Sequence, residues 1–202
     1  MTAGLNELVA VILAAGASTR MGDCKALIDW GTSTLVGHVL RCVHEGGCSN
    51  AIVVVAKPHA AAITQELTSI QGVTVVTNSQ PERGMLSSLQ EGLLTALELG
   101  STGILFAPVD LPISGPETVR ALLARQGPES AVLAAAYQGQ SGHPVWVSRE
   151  VALALATASL EFSARHVMRA YPTELVSVDD PGVCGNLNTP ADAARWQPEA
   201  SS

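Results

Sequence analysis

Leu8 to Ala14 is apolar at every position, and it runs without a break into Ala15-Gly-Ala-Ser-Thr-Arg-Met-Gly-Asp-Cys-Lys25. That junction limits the folds open to the chain. A short run with no polar face suits a parallel strand covered on both sides. Parallel strands are joined by helical crossovers, so the junction predicts an α/β architecture.

The loop after the run reads as a cradle for an anion. Ala14, Ala15, Gly16 and Ala17 let a ligand approach the backbone closely, and successive backbone N–H groups can hold phosphate oxygens. Arg20 offers a planar fork and Lys25 a mobile point charge. The alternative is an ordinary glycine turn after a buried strand. Two familiar phosphate loops are excluded by spacing. Gly16 and Gly22 are separated by five residues, one more than a Walker A loop has, and Lys25 comes three positions after the second glycine. The G-x-G-x-x-G dinucleotide pattern is absent.

Apolar runs and helical patterns alternate along the rest of the chain. Strands are expected at Val9 to Ala14, Ala51 to Ala56, Val73 to Val76, Gly103 to Ala107, Ala131 to Tyr137 and Glu174 to Val178, with another starting at His143 to Val147 after a turn over 138–142. A helix capped by Thr34 carries Leu35, Val36, Val39, Leu40 and Val43 on one face and stops at Gly46 and Gly47. Further helices are expected at about 58–70 with Pro58 in the first turn, from the Gly84 region to Leu99, and at 116–126, 148–158 and 163–170. A short last one opens at Pro190. The expectation is one Rossmann-like domain over residues 1–196: a mainly parallel sheet with helices on both faces, a small β insertion near 138–147, and a disordered tail over 197–202.

Two further segments carry chemistry. Gly84, Ser87 and Ser88 fall where a helix begins, and free N–H groups there favour phosphate or a ribose oxygen; capping by Ser is the plainer alternative. Asp110 follows a buried strand, the place where α/β enzymes put ligand groups, and a carboxylate there suits Mg²⁺.

The chain has 202 residues, 47% of them hydrophobic, which is ample for one large α/β core. A formal charge of −7 argues against a general nucleic-acid or membrane surface. The four cysteines include no C-x-x-C pair, no signal peptide is visible, and no apolar stretch reaches the ~20 residues of a membrane span. The expected location is the cytoplasm, with reduced thiols.

Leu13-Ala-Ala-Gly-Ala-Ser-Thr-Arg-Met-Gly-Asp-Cys-Lys25 resembles the signature loop of nucleotidyltransferases, in the form typical of the molybdenum cofactor cytidylyltransferases; the related molybdopterin-guanine dinucleotide synthases prefer Ala-Gly-Gly or Gly-Gly-Gly where this chain has Ala14-Ala-Gly16. Gly84-Met-Leu-Ser-Ser-Leu-Gln-Glu-Gly92 after an Asn78 loop, Asp110-Leu-Pro112 and Gly142-His-Pro144 are similar to further segments of that family. The resemblance implies transfer of CMP from CTP to the molybdopterin cofactor with release of pyrophosphate. It implies that Arg20, Lys25 and Asp110 are catalytic. Leu13, Ala14, Ala15, Gly16, Ala17, Ser18, Lys25, Asn78, Gly84, Ser87, Ser88 and Asp110 would bind nucleotide, and Gly142, His143 and Pro144 would form the wall under the acceptor. It further implies Mg²⁺ on Asp110 with Asn186 or Asn188. Many of the cytidylyl enzymes carry Asp at both of the last two positions, whereas Asn186-Leu-Asn-Thr-Pro190 resembles the guanylyl relatives. Ala15 points the other way, since its methyl would crowd a purine more than a pyrimidine. Transfer from GTP to the same cofactor is therefore an alternative, as are a sugar- or alcohol-phosphate nucleotidyltransferase and a non-catalytic molybdopterin-binding chaperone. A molybdoenzyme or its maturation chaperone is the implied protein partner.

Overall fold

The computed structural model describes residues 8–16 and 24–197. In chain order the strands are β1 (Val9–Ala14), β2 (Asp29–Trp30), β3 (Ser33–Thr34), β4 (Asn50–Val55), β5 (Val73–Thr77), β6 (Gly103–Pro108), β7 (Val132–Tyr137), β8 (Gln140–Ser148) and β9 (Thr173–Ser177). The α-helices are α1 (Leu35–Gly46), α2 (Ala60–Leu67), α3 (Met85–Glu98), α4 (Glu117–Ala124), α5 (Arg149–Thr157), α6 (Ala164–Met168) and α7 (Pro190–Trp196).

Seven strands form one sheet in the order β5-β4-β1-β6-β8-β7-β9. β5, β4, β1 and β6 run parallel, and β7 and β9 pair parallel with each other. β8 is antiparallel to both of its neighbours, β6 and β7. The chain leaves β1 toward β4 and β5, then returns to the other side of β1 as β6. Strand order therefore reverses between β1 and β6, and a crevice opens beyond their carboxyl ends.

Side-chain alternation along β1 divides the core. Ala10, Ile12 and Ala14 join one apolar cluster with α1, α2 and α4; Val9, Val11 and Leu13 join the other with α3 and α5. All six residues of β1 are buried. This two-faced burial is why the run carries no polar alternation, and it bears out the expected mainly parallel α/β fold. The Thr34 side chain caps α1 by accepting from Gly37 N, and Gly47 closes the helix at φ 121°.

Several expectations shift. The segment expected as a small β insertion supplies β8, a full member of the main sheet. Gln138 and Gly139, at φ 49° and 80°, make a two-residue turn, so the strand starts at Gln140 rather than His143. Pro58 lies outside α2, which begins at Ala60. The β2–β3 ribbon was not expected, since two-residue strands carry no periodicity; it buries Trp30 against α1. Of the expected tail, Gln197 donates to the Asp29 carbonyl at 2.8 Å, while 198–202 lie outside the described residues.

Helix α3 packs on β1 and β4 through Gly92. A Cβ there would overlap Val11 Cγ1 and come within 3.0 Å of Val54 Cγ2. Gly92→Ala gains about 1 kcal/mol of helix propensity but overpacks this contact, which costs about 1–3 kcal/mol. Net destabilisation is expected in a urea titration. An unfolding midpoint at or above that of the wild type would show that α3 can lift from the sheet at little cost.

Candidate functional site

A cleft of about 360 Å³ opens at the carboxyl ends of β1 and β6. One wall is the chain leaving β1: Leu13, Ala14, Ala15 and Gly16. The opposite wall is Pro81, Gly84, Met85 and Ser88, where α3 begins. Pro108, Val109 and Asp110 from the end of β6 close it, together with Cys24, Lys25, Ala26 and Asn188. The fold thus brings the start of the small-residue loop, the helix start and the strand-end carboxylate to one cleft.

The centre of the cleft is a cation held between two oxygens. Lys25 Nζ donates to Asp110 Oδ2 at 3.0 Å and to Asn188 Oδ1 at 3.1 Å. Lys25 sits in a short 3-10 turn, Lys25–Leu27, that packs beneath α1. Asp110 is fixed through its backbone: Val109 N donates to Leu13 O at 3.0 Å, and Leu187 N donates to Asp110 O at 3.1 Å. Asn188 is held from the other side, because its N–H donates to Asp192 Oδ2 at 3.0 Å. Asp192 also completes a capping box with Thr189 at the start of α7, and those bonds lower its carboxyl pKa.

A metal implied by the resemblance can be tested against this donor set. Asp110 and Asn188 converge on one positive group, so both oxygens can face one cation. Mg²⁺ takes one or two protein oxygens and fills its remaining positions from water and phosphate, and the pair fits it. Asn186 is exposed and does not line the cleft, so Asn188 is the member of the pair brought to the site. Among the described residues there is no cluster of three or more His, Cys, Asp or Glu that could hold a metal alone. The phosphates of a ligand would have to complete the shell.

The opposite wall carries a helix N-terminus. Gly84, at φ 95°, turns the chain into α3 and offers no side-chain cap; Ser87 N donates to Gly84 O at 3.1 Å, and Gly84 and Met85 bring the helix N-terminus to the cleft. Ser88 lines the cleft, but Asn78 and Ser87 stand behind it. Asn78 is buried; its Nδ2 donates to Ser87 Oγ and Ser88 Oγ, each at 2.9 Å, and its Oδ1 accepts from Gln80 N at 2.8 Å. Ser87 Oγ in turn donates to Gly84 O at 2.8 Å. Asn78 and Ser87, expected at the nucleotide, thus bond to one another and to the α3 start and do not line the cleft.

Gly142, His143 and Pro144 fall on β8, outside the cleft lining. Any side chain at Gly142 would collide with the Val183 carbonyl, which accounts for the glycine by packing. The His143 ring stands edge-on to Phe106 with centroids 5.7 Å apart, and Asp110 contributes to its electrostatic surroundings. Ala17, Ser18 and Arg20 lie outside the described residues.

Residues the sequence reading passed over include Cys24, Pro81, Met85, Pro108 and Val109. Cys24, Met85 and Val109 adjoin positions already singled out, Lys25, Gly84 and Asp110, and Pro81 and Pro108 lie within three residues of one. Burial pushes the Cys24 thiol pKa up; Cys42 and Cys48, deeper in the fold, are pushed up to about 11 and about 12. All four cysteines are free thiols.

Three imidazoles are held below their ordinary pKa by burial: His38, His44 and His143. His38 bonds the Ile113 carbonyl at 2.8 Å and Arg41 Nη2 at 3.0 Å, which fits a neutral ring donating through Nε2 and accepting at Nδ1. The unfolded chain protonates such groups near the ordinary value of about 6.5, and the folded chain only lower. The unfolded state therefore binds more protons in that window, so stability is full above pH ~6.5 and falls as pH drops below it. Urea midpoints at pH 7.5 and 5.5 should differ in that direction. Replacing His38 by Gln should flatten part of the slope, and an unchanged slope would show that His38 does not contribute.

The family described as the MobA-like NTP transferase domain matches residues 10–176. A molybdenum cofactor guanylyltransferase of Rhizobium leguminosarum bv. trifolii (strain WSM2304) is 30% identical over 216 residues, covering 96% of this chain and 94% of the relative. The crystal structure of Rv0371c from Mycobacterium tuberculosis H37Rv superposes with a TM-score of 0.80 at 27% identity, covering 96% of this chain and 99% of that one. A nucleotidyl transferase from Methanothermobacter thermautotrophicus, Mth528, gives 0.79 at 23% identity over 95% and 96% of the two chains, a likeness of fold. The loop at Gly16, the uncapped start of α3 and the Asp110–Lys25–Asn188 centre thus lie in a chain that belongs to the MobA-like NTP transferase family of nucleotidyltransferases.

Proposed function

We propose that this chain transfers a nucleoside monophosphate from a nucleoside triphosphate to the terminal phosphate of the molybdopterin cofactor, with GTP as donor. The observation that carries the reaction class is the Lys25–Asp110–Asn188 centre facing the uncapped start of α3 across one cleft. Rhizobial relatives named as molybdenum cofactor guanylyltransferases support the choice of GTP and of acceptor. The Asn pair of Asn186-Leu-Asn188 supports it too, by its resemblance to the guanylyl relatives.

Each wall has its own work. The apolar surface of Leu13, Ala14, Ala15 and Pro81 suits the flat base, and the amide of Met85 at the start of α3 suits a ribose or phosphate oxygen. Attack by an acceptor phosphate oxygen forms a new bond to the α-phosphorus and breaks the bond to the β-bridging oxygen, and pyrophosphate carries the charge away. Lys25 neutralises charge that grows on the leaving group. A divalent ion held by Asp110 and Asn188 would supply further neutralisation of the phosphates. Manganese is present in one structure of Rv0371c, 25% identical with a TM-score of 0.73.

A second reading keeps CTP as donor. Ala15 lines the cleft, and its methyl narrows the space for a purine. Assay of pyrophosphate release with molybdopterin cofactor and GTP, CTP, ATP or UTP separates the two. GTP should give the highest kcat/KM; a higher value with CTP would restore the cytidylyl reading. No release with any nucleotide would leave the chaperone alternative.

Lys25→Ala should fold normally and lower turnover by roughly 10²–10³, the range for losing one preorganised charge-stabilising group. Near-wild-type turnover would remove Lys25 from the phosphate end. Asp110→Asn should raise the divalent-ion concentration needed for half-maximal activity more than Asn188→Ala does, since it removes the charged ligand. An unchanged metal titration would place the metal elsewhere.

A further inference from the structure

The two oxygens that meet at Lys25 come from opposite parts of the sheet. Asp110 follows β6, near the middle, whereas Asn188 lies on the segment that leaves β9, at the edge. β8 and β7 stand between β6 and β9, so three strand spacings, roughly 14 Å, separate them. Residues 178–188 span that gap without an α-helix or strand, apart from a 3-10 turn at Pro181–Cys184. Something must fix where this crossing segment meets the β6 loop.

We propose that Asp180 is the positioning residue that does so, and thereby sets the geometry of the Asp110–Asn188 pair. This inference rests on the proposed nucleotidyl transfer. Asp180 is 4% exposed, and its carboxylate takes four hydrogen bonds. Ser114 N at 2.9 Å and Thr118 Oγ1 at 2.8 Å donate to Oδ2; Ser114 Oγ at 3.0 Å and Gly182 N at 2.9 Å donate to Oδ1. Three of the donors belong to the chain that follows Asp110, and the fourth to the crossing segment itself. One side chain therefore joins the two segments.

The packing around it leaves no slack. A Cβ at Gly182 would overlap the Pro112 carbonyl, and one at Gly185 would come within 2.7 Å of Pro112 Cγ. Beyond this seam Leu187 is fully buried, and its N–H reaches Asp110 O at 3.1 Å. His38 holds the adjacent Ile113 carbonyl from α1. The carboxylate thus sits at the root of a rigid wedge whose tip carries Asn188. Four donors match the acceptor capacity of an ionised carboxylate, and an amide in its place would turn an N–H₂ toward groups that are themselves donors. Asp180 touches neither Lys25 nor the cleft lining, so its influence on the site runs through the backbone of both loops.

The test compares wild type with Asp180→Asn and with Thr118→Val, which keeps the carboxylate and removes one bond. Mn²⁺ binding in the presence of a non-hydrolysable GTP analogue is followed by electron paramagnetic resonance, alongside kcat, KM for GTP and amide hydrogen exchange. Asp180→Asn should weaken Mn²⁺ binding by roughly 10- to 100-fold, the range for losing a group that orients a metal ligand, and lower kcat more than it raises KM for GTP. Exchange should accelerate in 110–114 and 186–188 together. Thr118→Val should move each readout the same way by less, and it decides the matter if Asp180→Asn does not fold. Variants that lose thermal stability but keep wild-type Mn²⁺ affinity and kcat would overturn the positioning role and leave a purely structural one. A wild type that neither binds Mn²⁺ with nucleotide nor releases pyrophosphate would instead overturn the proposed function, and the positioning role with it.

Discussion

The Lys25 ammonium, shared between Asp110 and Asn188, is the contact on which the site depends. Its partners are 85 and 163 residues away in sequence, so the contact exists only when the whole fold is assembled. The Lys25 and Asp110 side chains are 16% and 23% exposed, shielded enough for salt to screen their attraction less than it would on an open surface. Each partner reaches the meeting point by a different route. Lys25 arrives on a short turn beneath α1, Asp110 at the end of a buried strand, and Asn188 on an irregular segment from the edge of the sheet. The parallel strands bring the first two close, because every parallel strand of the central group ends on the same side. The third has no such guarantee, and this is where the polar bonds of the crossing segment concentrate.

Much of this was legible in the sequence, for a reason visible in β1. Its six residues are buried, with alternate side chains feeding opposite clusters, so the strand reads as one apolar run with a sharp end. Alternate side chains of β4 and β6 feed the same two clusters, and the ends of β1 and β6 mark the crevice. Helix α1 was legible through its Thr34 cap and its apolar face. What escaped had other physical origins. β8 was misplaced because a two-residue turn at Gln138 and Gly139 leaves a short signal, and nothing local shows that a hairpin strand will be inserted next to β6.

The site divides in the same way. Gly16, Gly84, Ser88, Lys25, Asp110 and Asn188 line one cleft, and each was legible because it sits at the boundary of a regular element or in a recognisable short segment. A motif does not distinguish a side chain that faces a cleft from one that stands behind it, and Asn78 and Ser87 stand behind it, joined to one another at 2.9 Å. Asp180 had no sequence signal at all. An Asp beside Asp179 and before Pro181 reads as a turn, and only tertiary structure shows that its carboxylate collects donors from residues more than sixty positions away.

Charge explains why so many weak devices meet in one cleft. The protein carries −7 overall, and its field repels a triphosphate. Among the described residues that line the cleft, Lys25 is the one cation and Asp110 the one anion, so their formal charges cancel. Among the described residues, the positive potential that this count does not register comes from the start of α3, which has no side-chain cap, and from the backbone leaving β1. A divalent ion would change this balance most, because it turns the Asp110 carboxylate from a repulsive neighbour of phosphate into the anchor of a net positive centre. Neutral Asn188 fits that arrangement. It adds an oxygen to the cation's surroundings without adding a negative charge against the triphosphate.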